Sequence, residues 1–404
     1  MKDSSEKIGK FRFVLGYLKG YIISYSWKKA HLIRIYLPTP KFLSLLELKI
    51  GLKRARLLSL GSKYPETIYP TNSSYATKMI AHEVVIGMPK YLKQAGKLAE
   101  WNYSWVYANS LDSKQRVIYA EEKTQNRLES ELGLAGTTSC SFESVLLLHG
   151  LPVKDLDPTT RNIYEEHRSN PRKKIIVLLG DYRKTRGPKM INEWIDCADL
   201  IVHFNPLVNP SDFGKKGDRL FLWPNPPWPE KILRSLMFES KEPGLVFTGN
   251  LYRGRDIYFK FCKRKGIRTI DLSHSLDQEK FFSTAREYLK EFSKYQLTFS
   301  NGWLYHNESI MVGKVQEAIV LGTTVLYESG SWIDQFLIPY RHFIPIHNRS
   351  DLRHKSAYLL RHLEIAKDIS RAAFEYHSMH YSSNRFWQLM QRKLEILDES
   401  ERLF

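Results

Sequence analysis

With 404 residues the chain has room for two domains that each bury a core, and its 43% apolar and 26% charged residues exclude a disordered or fibrous protein. Cys140, Cys197 and Cys262 are odd in number and far apart, which excludes a disulfide framework or a zinc motif and points to a reducing compartment. The net charge of +18 is uneven: residues 1–60 hold 13 Lys/Arg against 3 Asp/Glu, an excess that attracts polyanions such as nucleic acid, anionic lipid or a phosphorylated substrate.

The first element, Phe11 to Trp27, is aromatic and basic but is broken by Lys19 and two glycines, so it is no membrane-spanning helix and has no signal-peptide pattern. Its Tyr, Trp, Phe and Lys suit a membrane interface, and equally a basic soluble subdomain with its aromatics packed inside. Pro38 and Pro40 end this segment, and a helical pattern follows to Leu60. Glu83–Gly87 and Arg116–Ala120 read as short strands around a helix spanning Lys90 to Trp105, and 121–143 reads as helix and polar loop. Alternation sharpens from Ser144. Strands are predicted at Ser144–Gly150, Lys174–Asp181 and Leu200–Pro206, with helices through Thr159–Arg168 and Lys189–Ala198 between them. Arg219–Lys231 holds a last short strand and then four prolines in six residues, a stiff connection read as an interdomain linker.

The alternation then restarts. Strands are predicted at Leu245–Gly249, Ile267–Leu272 and Gln296–Ser300, with helices over Arg253–Gly266 and Phe281–Phe292. Around the stretch from Gly313 to Ser329, Val312, Val315, Ile319 and Val320 recur at helical spacing, whereas Thr323–Tyr327 is a strand-like run. Gly322 separates them, where a glycine ends the helix and turns the chain at once into the strand. His342–Ile346 is a further strand, and helices fill Asp351 to Glu399. The expected organisation is a basic aromatic segment 1–60, a first α/β domain 61–223, a linker 224–244 and a second α/β domain with terminal helices, 245–404.

Chemistry is sought at strand ends, because open parallel sheets bind ligands beyond the carboxyl ends of their strands. The turn Phe247–Arg255 carries Gly249, which permits close backbone approach, and Arg253 and Arg255, which can grip a diphosphate as bidentate donors. Asn301 follows a strand and either hydrogen-bonds a ligand or is a turn residue. Lys314 and Glu317, three apart, share a helix face: a carboxylate there can take two ribose hydroxyls and an ammonium a phosphate, while the plain alternative is a solvated surface pair. His149 and Asp181 each end a strong strand and are the candidate general bases; His203 lies within a strand. No P-loop, no GxGxxG and no metal-ligand spacing is present, so no metal and no cofactor is expected.

Glu317–Val325, EAIVLGTTV, resembles the Glu-Ala-hydrophobic-x-x-Gly-x-Pro-Val segment of GT-B glycosyltransferases, with Thr324 in the place of the usual proline. The resemblance implies that Glu317 binds the nucleotide ribose. Retaining members carry another Glu eight residues earlier; here that position is Ser309, beside Glu308, so the retaining signature is incomplete. Lys294–Asn301 followed by Lys314 is similar to the donor-site segment of fucosyltransferases, with Gly313-Lys314 where those have Glu-Lys. The turn after Phe247 resembles the one holding the donor pyrophosphate in such enzymes, which adds Asn250 to the candidate donor residues, and the Pro-Asn turn after Trp223 resembles the entry to their second domain. The resemblance covers approximately 140 to 400 and is specific over 245–330. It implies two Rossmann-like domains facing across a cleft, and a metal-independent transferase moving a hexosyl or fucosyl group from a nucleotide-sugar to a glycan or lipid-linked acceptor. The expected location is cytoplasmic, peripheral at an anionic inner membrane face, with nucleic acid disfavoured as a partner. The competing reading is a non-catalytic protein binding nucleic acid or a membrane surface on a degenerate scaffold of the same fold.

Overall fold

A computed structural model describes residues 38–60, 81–87, 116–119, 142–149, 156–179, 187–203, 208–224, 240–249, 254–272, 285–304, 308–309, 313–330 and 332–402, with Tyr36 and Ser235 as isolated positions. The aromatic segment 11–27, the expected helix 90–105, the region 121–141 and the proline-rich 225–234 lie outside them.

Two separate parallel sheets are formed. The first contains β1 (Ala81–Gly87), β2 (Arg116–Tyr119), β3 (Phe142–His149), β4 (Lys173–Leu178), β5 (Leu200–His203) and β6 (Leu220–Leu222), in the order β2-β1-β3-β4-β5-β6. The second contains β7 (Glu242–Thr248), β8 (Thr269–Leu272), β9 (Tyr295–Ser300), then, past a two-residue-a-side antiparallel hairpin of β10 (Trp303–Leu304) and β11 (Glu308–Ser309), β12 (Thr324–Glu328) and β13 (Ile344–Ile346). Its order is β8-β7-β9-β12-β13. The α/β class and the two-sheet arrangement expected from the alternation are therefore present, and the change of sheet falls between Leu222 and Glu242, around the prolines. The hairpin is absent from the sequence reading because two-residue strands carry no periodicity.

Continuous apolar runs arise because the strands are covered on both faces. In β4, Ile175 and Val177 join one core with Trp194 and Tyr164, while Ile176 and Leu178 join the opposite one with Phe221 and Trp223. Helices α2 (Pro158–Arg168) and α3 (Gly187–Trp194) supply the first of these layers. The start of α2 is set locally: Asp157 Oδ1 accepts from the Thr160 N–H at 3.1 Å, and Pro158 occupies the first turn, where its missing N–H has no consequence.

The second sheet is sandwiched similarly. On one side lie α4 (Arg255–Arg264) and α7 (Arg349–Leu359), with α1 (Lys41–Leu60) packed on α7 and its Leu48 in the same core as Phe247 and Leu352. On the other lie α5 (Ala285–Ser293), α6 (Lys314–Val320) and α8 (Leu363–His380). The last helix, α9 (Ser383–Arg402), packs on the first sheet: Phe386 lies 5.3 Å from Trp223 and 6.2 Å from Phe221, ring centre to ring centre, and Lys174 Nζ is 2.8 Å from Asp398 Oδ1. Trp223 is buried in this contact and packs at the junction of the two halves. Among the described residues no helix is long and apolar enough to cross a membrane.

Candidate functional site

Both sheets begin with the strand order 2-1-3 in local numbering, so each has a point where the crossovers diverge and leave a crevice beyond the carboxyl ends of two neighbouring strands. In the second sheet these strands are β7 and β9. The chain leaves β7 through Gly249, whose φ is +67°; a Cβ there would sit 3.3 Å from Arg255 Nη1 and 3.8 Å from Lys314 Cε. A glycine thus permits both the left-handed turn and the close approach of two cations. The chain leaves β9 through Asn301, and α6 begins at Lys314.

Four residues singled out from sequence, Gly249, Arg255, Asn301 and Lys314, meet at this crevice, and Glu317 lies one helical turn behind Lys314. Arg255 differs from its expected role. Its Nε donates to Asn301 Oδ1 at 3.0 Å, Nη1 to the Thr248 carbonyl at 2.7 Å and Nη2 to the Asn301 carbonyl at 3.0 Å. The buried guanidinium is a strut joining the ends of β7 and β9, with one donor on each of its three nitrogens committed to protein, rather than an open fork for a diphosphate. Asn301 is buried as the other half of this strut.

Lys314 Nζ lies 3.2 Å from Glu317 Oε2. The solvated surface pair is overturned: Glu317 is 1% exposed, and every residue from Val315 to Val320 is buried, because α6 lies between the sheet and α8. Lys314 keeps 25% of its side chain exposed, so solvent reaches the pair through the lysine and not through Glu317. Tyr288, from α5, completes it. Lys314 Nζ donates to the Tyr288 hydroxyl at 3.2 Å and stands 4.6 Å from its ring centre, a cation–π contact. Burial pushes the Glu317 carboxyl above its ordinary range, against the opposing pull of the Lys314 charge and the Tyr288 hydroxyl. Burial and the Glu317 charge push the Tyr288 hydroxyl well above its own ordinary value. Tyr288 escaped the sequence reading because an aromatic at helical spacing is normally core.

Gly322 closes α6 as expected, with φ +68°: its N–H donates to the Ile319 carbonyl at 3.0 Å and that of Thr323 to Ala318 at 2.8 Å, a Schellman arrangement leading directly into β12. Of the remaining candidates, His149 is the last residue of β3, at the corresponding crevice of the first sheet, and Ser309 pairs with Trp303 in the hairpin. Asp181, Asn250 and Arg253 lie outside the described residues. His203 is buried within β5.

Among the described residues one group, Glu47, His347 and Asp351, brings ligand-type atoms close enough to hold a metal ion. A protein cation already stands there. Lys355 Nζ is 3.3 Å from Glu47 Oε2, 3.0 Å from Asp351 Oδ2 and 2.9 Å from the Pro345 carbonyl, so the cluster reads as a clasp between α1 and α7.

No protein-family model matches the sequence, and no curated protein matches it. Several solved structures are similar in architecture. HepE from Anabaena in complex with UDP is 10% identical, with 78% of this chain and 99% of the other covered at a TM-score of 0.43. A glycosyltransferase from Rickettsia africae is 10% identical, with 79% and 98% covered at a TM-score of 0.46. An alpha1,3-fucosyltransferase is 11% identical, with 83% and 94% covered at a TM-score of 0.41. These are likenesses in the arrangement of elements, at identities too low to carry a residue's role from one protein to another.

Proposed function

We propose that the chain is a glycosyltransferase that takes a sugar from a nucleotide-sugar donor held at the β7/β9 crevice and passes it to a glycan or lipid-linked acceptor, with residues 1–60 meeting an anionic membrane surface. The observation that carries the reading is the buried Lys314–Glu317 pair beside Gly249. A carboxylate kept out of water needs compensation, and here its partner is a part-exposed lysine that packs beside Gly249. A nucleoside diphosphate supplies a substitute for each bond: the ribose hydroxyls donate to Glu317, and Lys314 turns onto the phosphates. Transfer then forms a bond from the acceptor oxygen to the sugar's anomeric carbon and breaks the bond from that carbon to the diphosphate. Lys314 meets the charge that grows on the leaving diphosphate, without a metal in this reading, and the acceptor's proton passes to a base of the first sheet, for which His149 is the candidate. Arg255 acts indirectly, by fixing the ends of β7 and β9.

The test is binding of UDP and GDP by calorimetry to wild type, Glu317→Gln and Lys314→Met. Charged hydrogen bonds contribute about 1.5–3 kcal/mol, so Glu317→Gln lowers affinity for the bound nucleotide by roughly one to two orders of magnitude. Lys314→Met slows turnover more than it weakens binding, because the charge it meets develops during transfer. Unchanged nucleotide affinity in a folded Glu317→Gln protein refutes the ribose role.

A further inference from the structure

Helix α1 is apolar on two sides, and among the described residues only one side is covered. Ser44, Leu48 and Ala55 face the core of the second sheet, with Leu45 and Leu52 packed beside them. Gly51 lets the Tyr340 ring lie against the helix, since a Cβ there would come within 2.4 Å of it. The opposite side carries Leu43, Leu46, Ile50 and Leu57, which at about 100° per residue fall within an arc of roughly 60°. With Phe42 at its margin, these five are 44 to 67% exposed, and they make up five of the eight large apolar residues exposed among those described. Leu43, Leu46, Glu47, Ile50 and Arg54 also form one wall of a cavity of about 730 Å³ whose other wall includes Ile338, Pro339 and Tyr340.

The charges around the stripe have one sign. Lys49, Lys53 and Arg56 flank it on one side and Arg54 on the other, all exposed, and Lys41 is exposed at the helix start. The helix has a single acid, Glu47, and that side chain turns toward Lys355, His347 and Tyr340. We infer that α1 is an interfacial docking helix for an anionic lipid bilayer, lying in the membrane plane with Leu43, Leu46, Ile50 and Leu57 in the acyl boundary and its lysines and arginines at the headgroup phosphates. This deepens the membrane part of the proposed function and rests on it, while requiring nothing of the donor site. An apolar stripe with basic flanks has both features such a surface selects. A second copy of the chain is disfavoured because pairing the stripes would bring two sets of cations together. A nucleic acid is disfavoured because the centre of the face offers its phosphates no donor.

The experiment is flotation of the full chain with vesicles of phosphatidylcholine alone and of phosphatidylcholine with 30% phosphatidylglycerol, at 0.1 and 0.5 M salt, with light scattering for oligomeric state. Wild type floats with the anionic vesicles and less so at high salt, where exposed charges are screened. Leu46→Ser/Ile50→Ser, at exposed positions, lowers the bound fraction tenfold or more at unchanged thermal stability. Lys49→Ser/Lys53→Ser lowers it on anionic vesicles and flattens the salt dependence. Ile396→Ser, an exposed apolar residue on α9, changes nothing. Absence of wild-type binding overturns the membrane reading itself. Wild-type binding that both α1 variants retain overturns the role of α1 alone, as does a wild-type dimer that Leu46→Ser/Ile50→Ser converts to monomer.

Discussion

Single side chains show how strongly burial alters ordinary chemistry in this protein. Lys241, just before β7, donates to the Ser293 carbonyl and to Thr323 Oγ1 at 3.3 Å, and burial pushes its ammonium down from 10.5 to about 7. The sign follows from proton binding. Between about pH 7 and the ordinary lysine value of 10.5 the unfolded chain binds a proton that the folded chain has released, so stability rises with pH across that window. Urea unfolding at pH 6.5 and pH 9 should show this rise in wild type and a flatter dependence in Lys241→Met. A wild-type slope equal to the variant's would place Lys241 in water. Glu317 is the same physics with a partner supplied: Lys314 offsets the desolvation that Lys241 relieves by losing its proton.

At the scale of elements, α1 is held by charge as well as by packing. Burial raises the Glu47 carboxyl, but hydrogen bonds with His347 and Tyr340 and the Lys355 charge outweigh it and leave it at about 2. Its folded value is below its unfolded one. The contribution is therefore complete above the ordinary value of 4.5 and is lost as pH falls toward about 2. Acid titration followed by a reporter on α1 should show the helix loosening in that range, and Glu47→Gln should shift the loss to neutral pH. Because Lys355 is fully buried, the variant also leaves Asp351 as its sole carboxylate partner in the clasp. Equal acid sensitivity of wild type and Glu47→Gln would assign the clasp no role.

On the scale of the whole molecule, α9 is one of the described elements that join the two sheets. It follows the second sheet in sequence, yet Phe386, Trp387, Met390 and Leu394 belong to the core that also holds Val145, Ile176, Phe221 and Trp223 of the first half. Phe386→Ala removes a fully buried ring from this contact and should destabilise the protein by about 3–5 kcal/mol. Denaturant unfolding monitored by tryptophan fluorescence, to which Trp223 contributes, reads the change. A loss under about 1 kcal/mol would mean that the site collapses around the missing ring or that α9 does not clamp the sheets.

The α/β class, the strands of the two parallel sheets and the position of the break between them are legible in the sequence, because strands buried on both faces must be apolar throughout and a proline-dense stretch cannot continue a sheet. Gly322 is legible for a similar reason: a helix that turns at once into a strand needs a residue at positive φ, and that requirement is local. That Gly249, Arg255, Asn301 and Lys314 stand at or just beyond strand ends was also legible, whereas the strand order that brings them together came from the structure. What each residue does there was decided by tertiary structure. Helical spacing puts Lys314 and Glu317 on one face but does not say whether that face is covered, and α8 and Tyr288 turn an apparent surface pair into a buried one. The same limit applies to Arg255, three of whose donors go to Thr248 and Asn301, and to α1, whose two apolar sides look alike until the core of the second sheet takes one of them. Periodicity is a property of one segment, whereas burial is a property of what packs against it.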